Sequence, residues 1–87
     1  MTIDFWVVGY ENTNDGEPEI YKTDNEAYNA MRLALIRYGK WYHFESEEID
    51  LALKDMANEF NDRFENDYFG GQLGECGAHA YKKSVRI

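Results

Sequence analysis

Disulfides are excluded from this chain, because Cys76 is the single cysteine among 87 residues. A lone thiol suits a reducing compartment better than secretion. The start, Met1-Thr2-Ile3-Asp4, lacks a basic stretch leading into a long apolar one, so a cytoplasmic protein is expected. No hydrophobic run approaches the length needed to span a bilayer. Cations are scarce, with 9 Lys and Arg against 17 Asp and Glu, a net charge of −8. That balance repels nucleic acid and anionic membrane and attracts basic partners. The single proline, Pro18, fits the start of an edge strand.

Acid is unevenly spread. Residues 45–67 hold nine acids against two bases, whereas residues 68–87 hold one acid against three bases. Aromatics make up 16% of the chain, which supplies buried area in a domain too small to bury much otherwise. With no repeat or linker, residues 1–87 form one domain.

Residues 3–10 alternate as a strand with two largely apolar faces, Ile3, Phe5 and Val7 against Trp6, Val8 and Tyr10. Asn14-Asp15-Gly16 is a turn signal, and residues 19–22 return as a short second strand. Thr23-Asp24-Asn25-Glu26 is a capping box. It should open a helix from Asp24 to about Tyr38, with Ala27, Ala30, Met31, Ala34, Leu35 and Tyr38 as the buried stripe and Gly39 as its end. A second helix should start with Ser46 as N-cap, bury Ile49, Ala52, Leu53, Met56, Ala57, Phe60 and Phe64, and end by Phe69. Four glycines then mark residues 70–77 as a flexible loop. Residues 78–87 read as a closing strand, with Lys83 suggesting a bulge or an edge. The expected fold is α+β, a three-stranded antiparallel sheet packed with two helices in the order β-β-α-α-β, the first strand central.

No catalytic signature emerges. Cys76 and His79 have C-x-x-H spacing, but His43 is the only other histidine and a zinc site needs three or four ligands. Residues three apart on a strand point to opposite faces, which disfavours a thiol–imidazole pair. Gly70-Gly71-Gln72-Leu73-Gly74 lacks the Lys-Ser or Lys-Thr and the helix that a phosphate loop requires. No cofactor and no metal are expected, and the chain is not expected to be an enzyme.

On a helical wheel Glu47, Leu51, Asp55, Asp62 and Glu65 lie opposite the apolar stripe of the second helix. Such a face is either a solvated surface or an anionic surface shaped for a basic groove on a protein, with Leu51 as an apolar anchor. Carboxylates spaced along a helix approximate a row of phosphates. In size, charge and lack of motifs the chain resembles the small acidic inhibitors that bacteriophages direct against host defence systems. The resemblance rests on no aligned motif, and implies an antidefence, anti-CRISPR or DNA-mimic role in a host cytoplasm. The expected partner is therefore a basic protein surface, such as that of a nucleic-acid-binding protein, with no direct nucleic-acid or membrane contact.

Two other functions fit the same residues. A homo-oligomeric accessory domain could pair through strand 3–10 or 78–87. If both helices stack on the other side, Trp6, Val8 and Tyr10 form an exposed apolar patch; otherwise the helices or the connector 41–44 cover them. A small ligand binder or enzyme could use the glycine-rich segment with Cys76 and His79.

Overall fold

The computed structural model describes residues 1–11, 17–63 and 66–87. The expected Asn14-Asp15-Gly16 turn, Phe64 and Glu65 lie outside the described residues. Strand β1 (Thr2–Glu11) and strand β2 (Glu19–Tyr21) precede helices α1 (Asp24–Trp41) and α2 (Ser46–Asn61), and strands β3 (Tyr68–Leu73) and β4 (Cys76–Arg86) follow. The sheet is fully antiparallel in the order β2-β1-β4-β3. The class is α+β as expected, but the sheet has four strands rather than three.

The added strand lies where a helix end and a loop were expected. Helix α2 stops at Asn61, short of Phe69, and Tyr68–Leu73 pairs with Cys76–Tyr81. Gly70 and Gly71 are strand residues here, and Gly71 answers a packing demand. A Cβ on Gly71 would sit 2.6 Å from the Met56 sulfur and 3.0 Å from its Cβ, so α2 can lie this close only over a missing side chain. Gly74 opens a two-residue hairpin turn at φ +61, a conformation that glycine adopts without strain. Lys83 marks no bulge, since β1 and β4 pair without interruption from Thr2↔Arg86 to Glu11↔Gly77.

Helix α1 begins as its capping box requires, with the Glu26 amide donating to the Thr23 hydroxyl at 3.1 Å. It continues past Gly39 to Trp41. Gly39 is a contact point, because a Cβ there would lie 2.5 Å from Ile49 of α2. The stop comes four residues later, where His43 adopts φ 60. The Phe44 amide donates to the Gly39 carbonyl at 2.9 Å and the His43 amide to the Lys40 carbonyl at 3.4 Å, a Schellman ending. In α2, Glu45 is the N-cap and Ser46 the first helical residue, with no side-chain cap bond.

Both helices cover the same face of the sheet. Trp6, Val8, Phe69, Leu73, Ala78 and Ala80 share that face by register and join Met31, Leu35 and Met56 in the core. Trp6 and Val8 are thus covered by the helices, with Tyr10 packed against the core, and Ile3, Phe5 and Val7 point away from the helices. Small residues on both layers, Ala27, Ala34, Ala52, Ala78 and Ala80, bring the backbones close. Arg63, just beyond α2, fastens the layer. Its guanidinium pairs with Asp24 at the start of α1, donates to the Phe60 carbonyl and lies 4.3–5.4 Å from the ring centroids of Phe60, Phe69 and Trp6.

At the β1–β2 edge the Tyr10 hydroxyl donates to the Glu19 carboxylate. Burial first, and then the hydrogen bond and negative charge of Glu19, push the Tyr10 phenol far above its ordinary range. Burial and Glu19 also raise Tyr21.

Gly71→Ala should lower unfolding stability by about 1–3 kcal/mol, because Met56 must yield in a filled core. His43→Gly should raise it by up to about 1 kcal/mol, because a side chain at left-handed φ is strained. Urea unfolding of the two variants reads both signs. Stability should also fall above about pH 10. There the unfolded tyrosines ionise while folded Tyr10 and Tyr21 keep their protons, so the unfolded state binds fewer protons and gains. Tyr10→Phe should flatten that alkaline decline, and an equally steep decline in the variant would contradict the assignment.

Candidate functional site

Helix α2 turns Ala52, Met56 and Phe60 toward the sheet, so its other side faces solvent. Glu47, Leu51, Asp55 and Asp62 are all exposed there, with Leu51 at 60%. The spacing of four, four and seven residues sets them at roughly 6 Å intervals or multiples along about 22 Å of helix. Glu48 and Asp50 flank this row and are exposed as well. The fifth expected member, Glu65, lies outside the described residues.

Neutralisation by the chain's own cations is the test of such a face. Ion pairs among the described residues include Arg63 with Asp24, Lys82 with Asp4 and Asp67, and His79 with Glu11. None of these involves Glu47, Asp55 or Asp62. Lys54 is the only base within α2. Glu59 is engaged elsewhere, as its carboxylate accepts the Gly70 amide at 2.9 Å and caps the outer edge of β3.

The remaining candidate residues are separated by the fold. Cys76 is buried on the helix side of the sheet, whereas His79 lies on the opposite side between Tyr68 and Glu11. The two cannot act as a pair. Among the described residues, no group of three His, Cys, Asp or Glu side chains is arranged to hold a metal ion. The glycine-rich segment is strand and turn, not a cradle at a helix start. A depression of about 200 Å³ lies beside it, walled by Glu11, Glu59, Tyr68, Gln72 and His79. No described helix is long and apolar enough to cross a membrane.

A second surface comes from the sheet. Ile20, Val7, Tyr81 and Tyr68 line up across all four strands on the side away from the helices, and Phe5, Ile3, Val85 and Ile87 extend the row. Among the described residues no helix covers this side, although Val7 itself is buried. The connector 41–44 does not reach it, since Trp41 and Tyr42 are exposed and Phe44 lies against Gly74. The signal was the alternation of Ile3, Phe5 and Val7 and of Tyr81, Val85 and Ile87, but two apolar faces on β1 concealed which one the helices take.

Strands 3–10 and 78–87, expected to pair between copies, are the two central strands. Their edges are occupied over Trp6–Val8 and Cys76–Tyr81. No protein-family model, curated protein or solved structure matches the chain.

Proposed function

We propose that this is a non-catalytic binding protein whose α2 face blocks a basic surface on a protein partner. One observation carries the reading. Glu47, Asp55 and Asp62 share a solvent-facing helix side with the exposed Leu51, and no cation of the described chain pairs with them. Anions fixed on a rigid helix cost little to order on binding. Leu51 supplies an apolar contact in their midst, as an interface anchor does. A surface that binds nucleic acid has the complementary charge, so the partner class is a nucleic-acid-binding protein or complex. An antidefence or anti-CRISPR inhibitor is the biological form this reading takes.

The interior supports a binding role over a catalytic one. No Asp, Glu, Lys, Arg or His side chain is buried among the described residues. Catalytic acids and bases are tuned by burial and by close charged neighbours. The α2 carboxylates are exposed.

The test is capture of partners from a bacterial lysate on immobilised protein. The triple variant Glu47→Lys, Asp55→Lys and Asp62→Lys should keep its circular dichroism and lose partner binding by at least about 100-fold, since like charges would then oppose each other. Capture by the native chain should also weaken as salt rises from about 0.1 to 1 M, where the screening length shrinks from roughly 10 to 3 Å. Undiminished capture by the folded triple variant rejects the acidic face as the binding surface.

A further inference from the structure

We propose that the open face of the sheet is a self-association surface, on which a second copy of this chain docks face to face about a two-fold axis. This surface is on the opposite side of the molecule from the acidic helix and does not rest on its role.

The first argument is the patterning of the strands that project past the core. β2 pairs with β1 only over Trp6–Val8, and β3 pairs with β4 only as far as Tyr81, with one further bond from the Lys82 amide to the Asp67 carbonyl. Thr2–Phe5 and Lys83–Arg86 therefore form a two-stranded ribbon whose outer edges have no strand partner among the described residues. Such a ribbon is marginal in water by itself. Its side continuous with the helix layer is polar, with Thr2, Asp4, Ser84 and Arg86, and the Ser84 hydroxyl bonds Asp4. Its other side carries Ile3, Phe5, Val85 and Ile87, interrupted only by Lys83. Alternation of this kind marks a half-buried strand, yet among the described residues no helix lies over the apolar half, where Phe5 is half-buried and Ile3, Val85 and Ile87 are exposed.

Area is the second argument. Ile3 is 50% exposed, Ile20 68%, Tyr68 53%, Val85 46% and Ile87 68%, and all lie on this side. Together these residues expose on the order of 500 Å², much of it apolar, around the buried Val7 and the half-buried Phe5 and Tyr81, at the upper end for a soluble monomer. Meeting the same patch on a second copy buries roughly 1,000–1,400 Å² in total, the lower range of specific interfaces. Two sheets stacked this way sit about 10 Å apart with side chains interleaved.

Charge selects the occupant. β1 and β4 place one acid and one base on this side, Glu11 and Lys83, so the face is near neutral within a chain of −8. A two-fold contact sets a patch against itself, and only a patch without net charge does so without repulsion. A basic partner is drawn to α2 instead. Docking through the sheets leaves the two acidic helices on the outer sides of the pair. They are then farther apart than the roughly 8–10 Å over which exposed charges act at physiological salt.

Sedimentation equilibrium from about 5 to 500 μM decides the matter. The native chain should reach the mass of two chains within that range, and association should hold or tighten in sulfate, because apolar burial strengthens there while charge pairing weakens. Ile3→Lys with Val85→Lys should dissociate the pair by at least tenfold with unchanged circular dichroism. Ile20→Lys, on the short edge strand, should do likewise and serves if the ribbon variant unfolds. The Glu47→Lys, Asp55→Lys and Asp62→Lys variant should dimerise as the native chain does. A native chain that stays single at about 500 μM overturns the proposal, even if this face captures a foreign protein instead. So does a dimer that survives the sheet-face variants or is abolished by the α2 variant.

Discussion

Everything in this molecule follows from the seating of Met56 on Gly71. The long helix α2 can lie flat on the sheet only because the strand beneath it lacks a side chain at the point of contact. The same logic repeats at Gly39, which accepts Ile49, and at Ala78 and Ala80 below the helices. Close contact brings Phe69, Met31, Leu35 and Val8 into a core from which water is excluded. Arg63 then fastens the far end of α2 to the near end of α1 through Asp24, over the rings of Trp6, Phe60 and Phe69. The Cα envelope, 46 × 28 × 16 Å, is the shape of one sheet under one layer of helices.

A two-layer protein has two outer surfaces, and here they are chemically opposed. The helix side carries the carboxylates of α2, of which Glu47, Asp55 and Asp62 are in none of the ion pairs of the described residues, Lys54 being the one base within the helix. Lys82 faces Asp4 and Asp67, and Arg63 faces Asp24. The sheet side is apolar and almost without charge. Neither surface follows from the needs of the core, since the core is complete without Leu51, Ile20 or Val85. Core packing therefore leaves the choice of residue on both surfaces open, and the proposed contacts would account for their consistent chemistry.

Local signals were legible wherever one residue type does one physical job. The Thr23 cap, the stripe of α1 and the β1–β2 hairpin follow from hydrogen-bonding chemistry and periodicity alone. The glycines of β3 were not legible, because glycine weakens an isolated strand and its purpose here is the sulfur of a residue fifteen positions away. Tyr68 and Phe69 compounded the problem by extending the apolar pattern of α2 past its real end at Asn61. The two faces of β1 posed a different difficulty. Trp6, Val8 and Tyr10 differ little in apolarity from Ile3, Phe5 and Val7, so only the packing of the helices reveals which set is covered. The acidic face was legible as a set of residues, because a helical wheel needs only the helix. Its lack of ion pairs depends on where the cations of other elements fold, Arg63 onto Asp24 and Lys82 onto Asp4 and Asp67, which no local pattern records.

The two surfaces constrain one another if both act. Sheets meeting face to face send the α2 helices outward on opposite sides, so a dimer presents two acidic faces that cannot both reach one flat basic patch. Avidity on a single partner molecule is then geometrically forbidden, because effective concentration counts only for sites that can be engaged together. Each acidic face would bind its own partner molecule, and the dimer would join two of them. Sheet docking therefore changes the stoichiometry of the assembly and leaves the affinity of each acidic face as it is in the single chain.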